Sequence, residues 1–370
     1  MSRFVVPAPI ARQPWRLTLL LMAIVSFGAS VLYSAAGGSF SPWAGQHLVR
    51  FAVFFVMAFV ISTIPERTLR ALALPGYLAI LIALFGVELL GAVRGGSQRW
   101  LDIGFMKLQP SELMKPAVVI ACAHFYALVP PGQIRSVGAL WPALVLVGLP
   151  FALVLLQPDL GTGIAIAVGG ITVMFLAGLP LRLFVGSAIA SAAALPVLFS
   201  MLHDYQQRRV LIFLNPENDP LGSGYHITQS KIAIGSGGIF GKGFLNGTQS
   251  HLDYLPEGHT DFVFATMAEE WGLVGGVLLI GAFMLLLRWG WQVAAQAHTR
   301  FGRLAAGGLT MTIFFYIAIN LMMVMGLAPV VGIPLPFMSH GGSSMLTVMA
   351  CLGVLLGIDR QTKRMRRPRT

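Results

Sequence analysis

Residues 139–177 read ALWPALVLVGLPFALVLL, then QPD, then LGTGIAIAVGGITVMFLA. Two uncharged apolar stretches meet at only three polar residues, Gln157-Pro158-Asp159. Each stretch is close to the roughly 20 residues that a helix needs to cross the hydrocarbon core of a bilayer. Neither alternates polar and apolar residues with a period of two, so each reads as a helix rather than a barrel strand. The pair Ala139–Leu156 and Leu160–Ala177 is therefore expected to be a tight transmembrane hairpin.

The same blocking runs outward in both directions. Toward the N-terminus lie Leu17–Tyr33, His47–Ile64, Leu72–Gly91 and Ser111–Leu128; toward the C-terminus lie Leu183–Leu202, Phe262–Leu287, Leu304–Leu327 and Gly342–Ile358. The chain of 370 residues is 56% hydrophobic and 11% charged, against about 25% charged in an ordinary soluble domain. A soluble fold of this size has no way to hide so much apolar surface. The expected fold is all-α: a single integral membrane domain over residues 1–370 with about ten transmembrane helices and a long extracytoplasmic loop, about residues 203–261, before the eighth. The first span follows Arg12 and Arg16 and precedes Ser34-Ala35-Ala36, as a signal peptide would, but its apolar stretch exceeds the usual 7–15 residues of such a segment.

Orientation follows from Lys and Arg in the loops. With the N-terminus inside, sixteen of the 25 basic residues fall on inner loops and tails and nine on the outer side, although the outer loops are longer. Both termini are expected to be cytoplasmic. The net charge of +11 has its explanation in this bias and in attraction to anionic headgroups. No basic cluster interleaves with aromatic residues on an exposed domain, so a nucleic-acid partner is not expected. Cys122 and Cys351 both fall inside spans and read as small core residues without disulfide or metal-ligand spacing.

The acidic residues are distributed more tellingly. Of fourteen, only Glu66 and Asp359 belong to the inner side. Asp102, Glu112, Asp159, Asp204, Glu217, Asp219, Asp253, Glu257 and Asp261 lie in outer loops or at outer helix ends, and Glu88, Glu269 and Glu270 sit within helices near the same leaflet. Ionisable groups at membrane depth are costly and usually face an internal cavity. The outer mouth of the bundle is therefore the candidate site.

Three outer turns supply the polar groups. Arg99-Trp100-Leu101-Asp102 leads to Gln109-Pro110-Ser111-Glu112 and Lys115; the proline suits the start of a helix, Glu112 sits where the helix dipole favours an anion, and Glu112 and Lys115 share a face at i, i+3. They read as an internal salt bridge or as a charged pair lining a cavity for a polar headgroup, and the two readings are compatible. Gln157-Pro158-Asp159-Leu160-Gly161-Thr162 repeats the opening, with Asp159 as N-cap or site residue. Met338-Ser339-His340-Gly341-Gly342-Ser343-Ser344 enters the last helix, where backbone and hydroxyls suit a phosphate and small residues equally suit close packing.

Within the long loop, Gly224–Ile234 is mildly amphipathic and suits the membrane interface. Gly235-Ser236-Gly237-Gly238-Ile239-Phe240-Gly241-Lys242-Gly243 resembles a P-loop superficially, but the first glycine is misplaced and Gly follows the lysine; it reads as a flexible turn. The loop ends in Leu252-Asp253-Tyr254-Leu255-Pro256-Glu257-Gly258-His259-Thr260-Asp261-Phe262. His259 reads as a hydrogen-bonding residue, since no second His stands at ligand spacing. Asp261 precedes the eighth helix; either it or Thr260 is able to cap that helix, and capping by Thr260 leaves Asp261 for other work.

At these residues the chain resembles the SEDS family of bacterial envelope proteins, and its RodA branch in particular. The resemblance is carried by Arg99-Trp100-Leu101, Gln109 to Glu112 with Lys115, Gln157 to Thr162, Gln206 to Phe244, Leu252 to Phe262 and Met338 to Ser344, in family order over nearly the whole chain. Phe213 to His226 resembles RodA rather than its division counterpart FtsW. One variation is His340, where Tyr is frequent. The resemblance implies a ten-helix glycosyltransferase that polymerises lipid II on the outer face of the bacterial inner membrane during elongation. It also implies a class B penicillin-binding protein as transpeptidase partner, among other elongation-complex membrane proteins.

Such a reaction needs a base for the attacking sugar hydroxyl and positive charge for the departing diphosphate. Asp261 matches the family's essential loop aspartate and is the expected base. Arg99, Lys115 and Lys242 are candidates for holding the diphosphate, Glu112 and Asp159 for setting geometry, and Ser343 for substrate contact. A divalent cation such as Mg2+ bridging carboxylate and diphosphate is chemically reasonable, but no ligand set is readable. The alternative is a lipid II flippase or another polyprenyl-lipid transporter. A flippase needs polar groups along the inner half as well, and there they are nearly absent.

Overall fold

The computed structural model describes residues 14–90, 92–94, 97–102, 107–201, 204–215, 219, 222–252, 254–255 and 257–366. The helices are α1 (Trp15–Ala35), α2 (Trp43–Ile61), α3 (Glu66–Ala71), α4 (Ala73–Leu90), α5 (Pro110–Leu128), α6 (Val137–Leu156), α7 (Leu160–Ala177), α8 (Leu181–Met201), α9 (Asp204–Leu214), α10 (Ser223–Ser236), α11 (Thr248–His251), α12 (Val263–Gln296), α13 (Arg300–Val324) and α14 (Gly342–Arg366). Ten of these match the ten expected spans in order. Seven are by themselves long and apolar enough to cross a membrane: α1, α2, α6, α7, α12, α13 and α14. In α4 and α8 the apolar parts are shorter, Ala73–Val87 and Leu181–Val197. The tenth, α5, carries Glu112 and Lys115 and is buried along most of its length. The chain is a multi-pass helical membrane protein.

The spans alternate in direction, so the bundle has two ends. One, the mouth, gathers the starts of α2, α5, α7, α12 and α14; the other gathers their far ends. Glycines set how closely the central helices approach. A Cβ on Gly170 of α7 would lie 2.3 Å from Val147 of α6, and one on Gly308 of α13 would lie 2.6 Å from both Val119 of α5 and Val173 of α7. Small residues at such crossings let helix backbones approach closely where lipid offers no hydrophobic drive to associate. The far end is tied by short polar links, including Thr299 Oγ1 donating to Glu66 Oε2 at 2.9 Å and Arg360 Nη1 donating to Ser62 Oγ at 2.8 Å.

Four features depart from the sequence expectations. First, the connection from α4 to α5 carries three short antiparallel strands, β1 (Ala92–Arg94), β2 (Ser97–Asp102) and β3 (Lys107–Leu108), in the order β1-β2-β3. Second, α12 runs to Gln296, well past the expected end at Leu287. Third, Gly224–Ile234 belongs to a helix held to the bundle: α10 packs on α12 and α13, and Ser230 Oγ donates to the Val324 carbonyl at 2.7 Å.

The fourth concerns the glycine-rich turn, which is hydrogen-bonded into a break in α12. Helix α12 breaks at Gly272 (φ 63°, ψ −161°). The carbonyls of Glu269 and Glu270 accept from the N–H groups of Lys242 and Gly243, both at 3.0 Å. The N–H groups of Leu273 and Val274 donate to the carbonyls of Gly238 and Ile239 at 2.9 and 3.1 Å. The turn thus replaces the hydrogen bonds that the break removes, as buried backbone requires. Gly241 has to be glycine: its φ is +79° and a Cβ there would lie 2.0 Å from the Glu270 carbonyl oxygen.

Candidate active site at the mouth of the bundle

Helix α5 begins with Pro110 at its first turn, and this brings Glu112 and Lys115 onto one face. Both are buried, with Lys115 0% exposed. Lys115 Nζ donates to Glu112 Oε1 at 2.6 Å and to the Tyr316 hydroxyl of α13 at 2.7 Å. Tyr316 in turn donates to the other oxygen of Glu112. The pair forms the expected internal salt bridge, closed into a triad by a tyrosine from a distant helix.

Asp159 caps α7 through Oδ1, which accepts from the Thr162 N–H at 3.1 Å. Its other oxygen accepts from Gln109 Nε2 at 3.3 Å. The two Gln-Pro turns are thereby joined, and Asp159 stands beside the start of α5. Arg99 lies on β2, whose neighbour β3 leads directly into α5; its side chain lies outside the described part of the structure.

Asp261 is half-buried in the turn before α12. The expected cap is absent: Phe262 is the N-cap residue and makes no side-chain cap hydrogen bond, and the Thr260 hydroxyl donates instead to the Glu257 carbonyl and carboxylate. The Asp261 carbonyl accepts from Asn320 Nδ2 at 2.8 Å. A Cβ on Gly332 would lie 3.5 Å from Asp261 Oδ2, so the carboxylate rests against a bare stretch of backbone. Asp253 and Pro256 of the same motif lie outside the described residues.

Several polar side chains at the mouth were not picked out from sequence. Arg50 of α2 donates through Nη1 to the His340 carbonyl at 2.8 Å, and Nη1 also lies 3.1 Å from His340 Nε2. The His340 N–H donates to the His259 carbonyl at 3.0 Å, and the His259 ring stacks on Trp43. Burial pushes His340 down to about 4, with the Arg50 charge adding to the effect; burial also lowers His259, opposed by Glu257. Both rings are thus favoured in the neutral form. The signal for Arg50 was present, because a cation three residues past the polar pair Gln46-His47 inside an apolar span is a site indicator. Tyr316 and Asn320 gave the same signal, polar residues one helical turn apart in an otherwise apolar stretch.

Lys242 faces α11 and α12. Its ammonium donates to Glu269 Oε1 at 2.6 Å and to Thr248 Oγ1 at 2.7 Å. Glu269 also accepts from the N–H groups of Thr248 and Gln249, so this carboxylate anchors α11 against α12. Ser343 stands half-buried in the first turn of α14. Among the described residues no group of three or more His, Cys, Asp or Glu side chains gathers to hold a metal ion.

The structure therefore brings Glu112, Lys115, Asp159 and Asp261 to one mouth, with Tyr316 and Asn320 on adjacent turns of α13 linking the triad to the Asp261 turn. Residues 12–364 match the family of cell cycle proteins FtsW, RodA and SpoVE. The peptidoglycan glycosyltransferase MrdB of Escherichia coli K12 is 45% identical over 347 residues, 93% of each chain. Stage V sporulation protein E of Bacillus subtilis 168 is 34% identical over 360 residues, 94% of this chain and 97% of its own. One solved chain comes from work on polymerization and crosslinking by a peptidoglycan synthase complex; it superposes with a TM-score of 0.83 at 33% identity, covering 95% of this chain and 98% of its own. The rod shape determining protein RodA of Thermus thermophilus gives a TM-score of 0.72 at 30% identity, covering 95% and 97%. On the family match and these relatives together, the chain belongs to the FtsW/RodA/SpoVE family.

Proposed function

We infer that this protein is a peptidoglycan glycosyltransferase that polymerises lipid II into glycan strands. The observation that carries the reading is a half-buried carboxylate, Asp261, held at a bundle mouth that also gathers Arg50, His340 and the Glu112–Lys115–Tyr316 triad. The names of the relatives support the activity. The excess of Lys and Arg at the far end and tails supports a mouth on the periplasmic side of the inner membrane, cytoplasmic termini and one membrane domain with a periplasmic segment at about 203–261. A class B penicillin-binding protein is the proposed partner, supported by likeness to a chain from a synthase complex that couples polymerization with crosslinking.

In this mechanism a sugar hydroxyl of one chain attacks the anomeric carbon of a lipid-diphosphate donor, with inversion. Asp261 accepts the hydroxyl proton as the new bond forms. The bond from the anomeric carbon to the diphosphate breaks, and the electron pair leaves with the diphosphate. Arg50 and Arg99 supply positive charge toward that leaving group, and Ser343 with the first turn of α14 offers donors. Lys115 acts from behind this layer: enclosed by Glu112 and Tyr316, it fixes α5 against α13 and biases the local field. Asp159 holds the starts of α5 and α7 in register through Gln109. Lys242 braces the α12 break and takes no part in the diphosphate site. The described residues do not assemble a ligand set for Mg2+, and no step is assigned to a metal.

The test is polymerisation of purified lipid II by the Asp261→Asn protein. Loss of glycan product with an unchanged melting curve is expected; near-normal chains from a well-folded variant would remove Asp261 as the base. Movement of lipid II across vesicles by the unaltered protein, with no polymer formed, would instead establish transport.

A further inference from the structure

We propose that Asn320 is the positioning residue that sets the Asp261 carboxylate for the reaction. Its amide nitrogen uses both of its hydrogens on backbone carbonyls of two different segments: Asp261 at 2.8 Å and Ile333 at 2.8 Å. Asn320 is 0% exposed, and its side-chain oxygen has no hydrogen-bond partner among the described residues. Burying an unpaired amide oxygen costs free energy. Asparagine at this place therefore costs stability on one side of the amide in order to bind two carbonyls with the other.

Those two carbonyls belong to the parts of the chain that frame the carboxylate. Ile333 follows Gly332, the residue whose bare Cα faces Asp261 Oδ2. Asp261 sits in a turn whose base is held by the N–H groups of Thr260 and Phe262, which both donate to the Glu257 carbonyl, at 3.0 and 3.2 Å. The same two segments are also linked by the His340 N–H, which donates to the His259 carbonyl. Without Asn320 the segments remain joined at His259 but lose the bridge at Asp261 itself. The Asp261 peptide then loses this hold, and its carboxylate is expected to shift relative to Gly332. A general base works only within hydrogen-bond reach of its proton, and misplacement by about 1 Å is able to cost two orders of magnitude in rate.

Asn320 stands one helical turn beyond Tyr316, which closes the Lys115–Glu112 pair. Helix α13 thus carries two adjacent side chains that fix α5 and the Asp261 turn to a common frame. This inference rests on the reading of Asp261 as the base, and its test separates the two. Asn320→Leu keeps the branched outline, with somewhat more bulk, and removes both donors. Asn320→Asp keeps shape and turns two attractive contacts into repulsive ones. Asn320→Ser, a smaller change that retains one donor, serves if either of these does not fold.

The full-length protein is to be measured with purified lipid II, separating kcat from KM, alongside hydrogen exchange of peptides covering 257–263 and 330–336. For Asn320→Leu and Asn320→Asp the expected result is a fall in kcat of tenfold or more, KM within about twofold, and faster exchange in both segments; Asn320→Ser is expected to fall between them and the unaltered protein. Unchanged exchange would overturn the clamp. Faster exchange with kcat within twofold would overturn the positioning role, as would a rise in KM at constant kcat. Failure of the base reading has a different signature, retained polymerisation by Asp261→Asn while the Asn320 exchange result stands.

Discussion

The imidazole of His259 lies flat on the indole of Trp43, with ring centroids 4.0 Å apart and planes 6° from parallel. Trp43 opens α2 and His259 stands two residues before Asp261, so the stack joins the first half of the bundle to the turn that carries the proposed base. An aromatic pair of this kind contributes about 0.5–1.5 kcal/mol beyond the area it buries. Trp43→Leu is expected to lower the melting temperature by a few degrees and polymerisation by several-fold, whereas Trp43→Phe retains most of both. Thermal melts and lipid II turnover on the two variants check this.

His340 makes the same region sensitive to acid. Its folded value is about 4 against the ordinary 6.5, so between these values the unfolded chain binds a proton that the folded chain does not. Stability contributed by the neutral ring is therefore complete above about pH 6.5, declines as the pH falls toward about 4, and changes no further below that. His259, also lowered by burial, acts in the same direction. His340→Tyr removes the ionisation and is expected to flatten this part of the curve of melting temperature against pH from 7.5 to 4.5. An unaltered slope in that variant would assign the acid sensitivity to other groups.

The Glu112–Lys115–Tyr316 triad gives a graded series. Removing one charge of a buried pair leaves the other uncompensated, a loss of about 3–5 kcal/mol, while replacing both with apolar or neutral groups costs far less. Lys115→Met is therefore expected to destabilise more than the double variant Lys115→Met with Glu112→Gln. Tyr316→Phe removes one donor and one acceptor and is expected to cost about 1–3 kcal/mol. Denaturation of the purified variants in detergent gives the order. Equal losses for the single and double substitutions would mean that the charges are not coupled.

Hydropathy made the ten spans legible because the bilayer imposes one dominant rule on each. It was silent where that rule stops. Beyond Leu287 the helix α12 continues through Arg288 to Gln296, governed there by helix propensity and packing rather than by burial in lipid. The break at Gly272 was hidden for another reason: one glycine in an apolar run is common, and this one is non-helical only because Gly238 to Gly243 supplies the missing hydrogen bonds from elsewhere in the chain. The site divides the same way. Glu112, Lys115, Asp159 and Asp261 stood out as charges at helix starts, and the structure gathers them. Asn320, Tyr316 and Arg50 were visible as polar residues inside spans, but what each touches depends on packing between helices far apart in sequence. Thr260 had the chemistry of a cap, yet its hydroxyl turns back to Glu257, a local competition that spacing does not decide.

Lys242 offers the sharpest separation between scaffold and substrate contact. Its ammonium is 2.6 Å from Glu269 Oε1, with the lysine side chain 27% exposed and the glutamate 0%. Glu269 also receives two backbone N–H groups of α11, so it remains partly satisfied if the lysine is removed. Loss of Lys242 is therefore expected to cost less than loss of a fully buried partner: about 1.5–3 kcal/mol, the range for a hydrogen bond to a charged group. Lys242→Met is expected to loosen the segment 237–249, visible as faster proteolysis or hydrogen exchange, and to lower polymerisation only as far as the fold is weakened. Combining it with Glu269→Gln removes the unpaired charge and is expected to restore part of the lost stability and, with it, part of the rate. If Lys242 held the diphosphate directly, the double variant would regain stability without regaining rate, and KM for lipid II would stay raised.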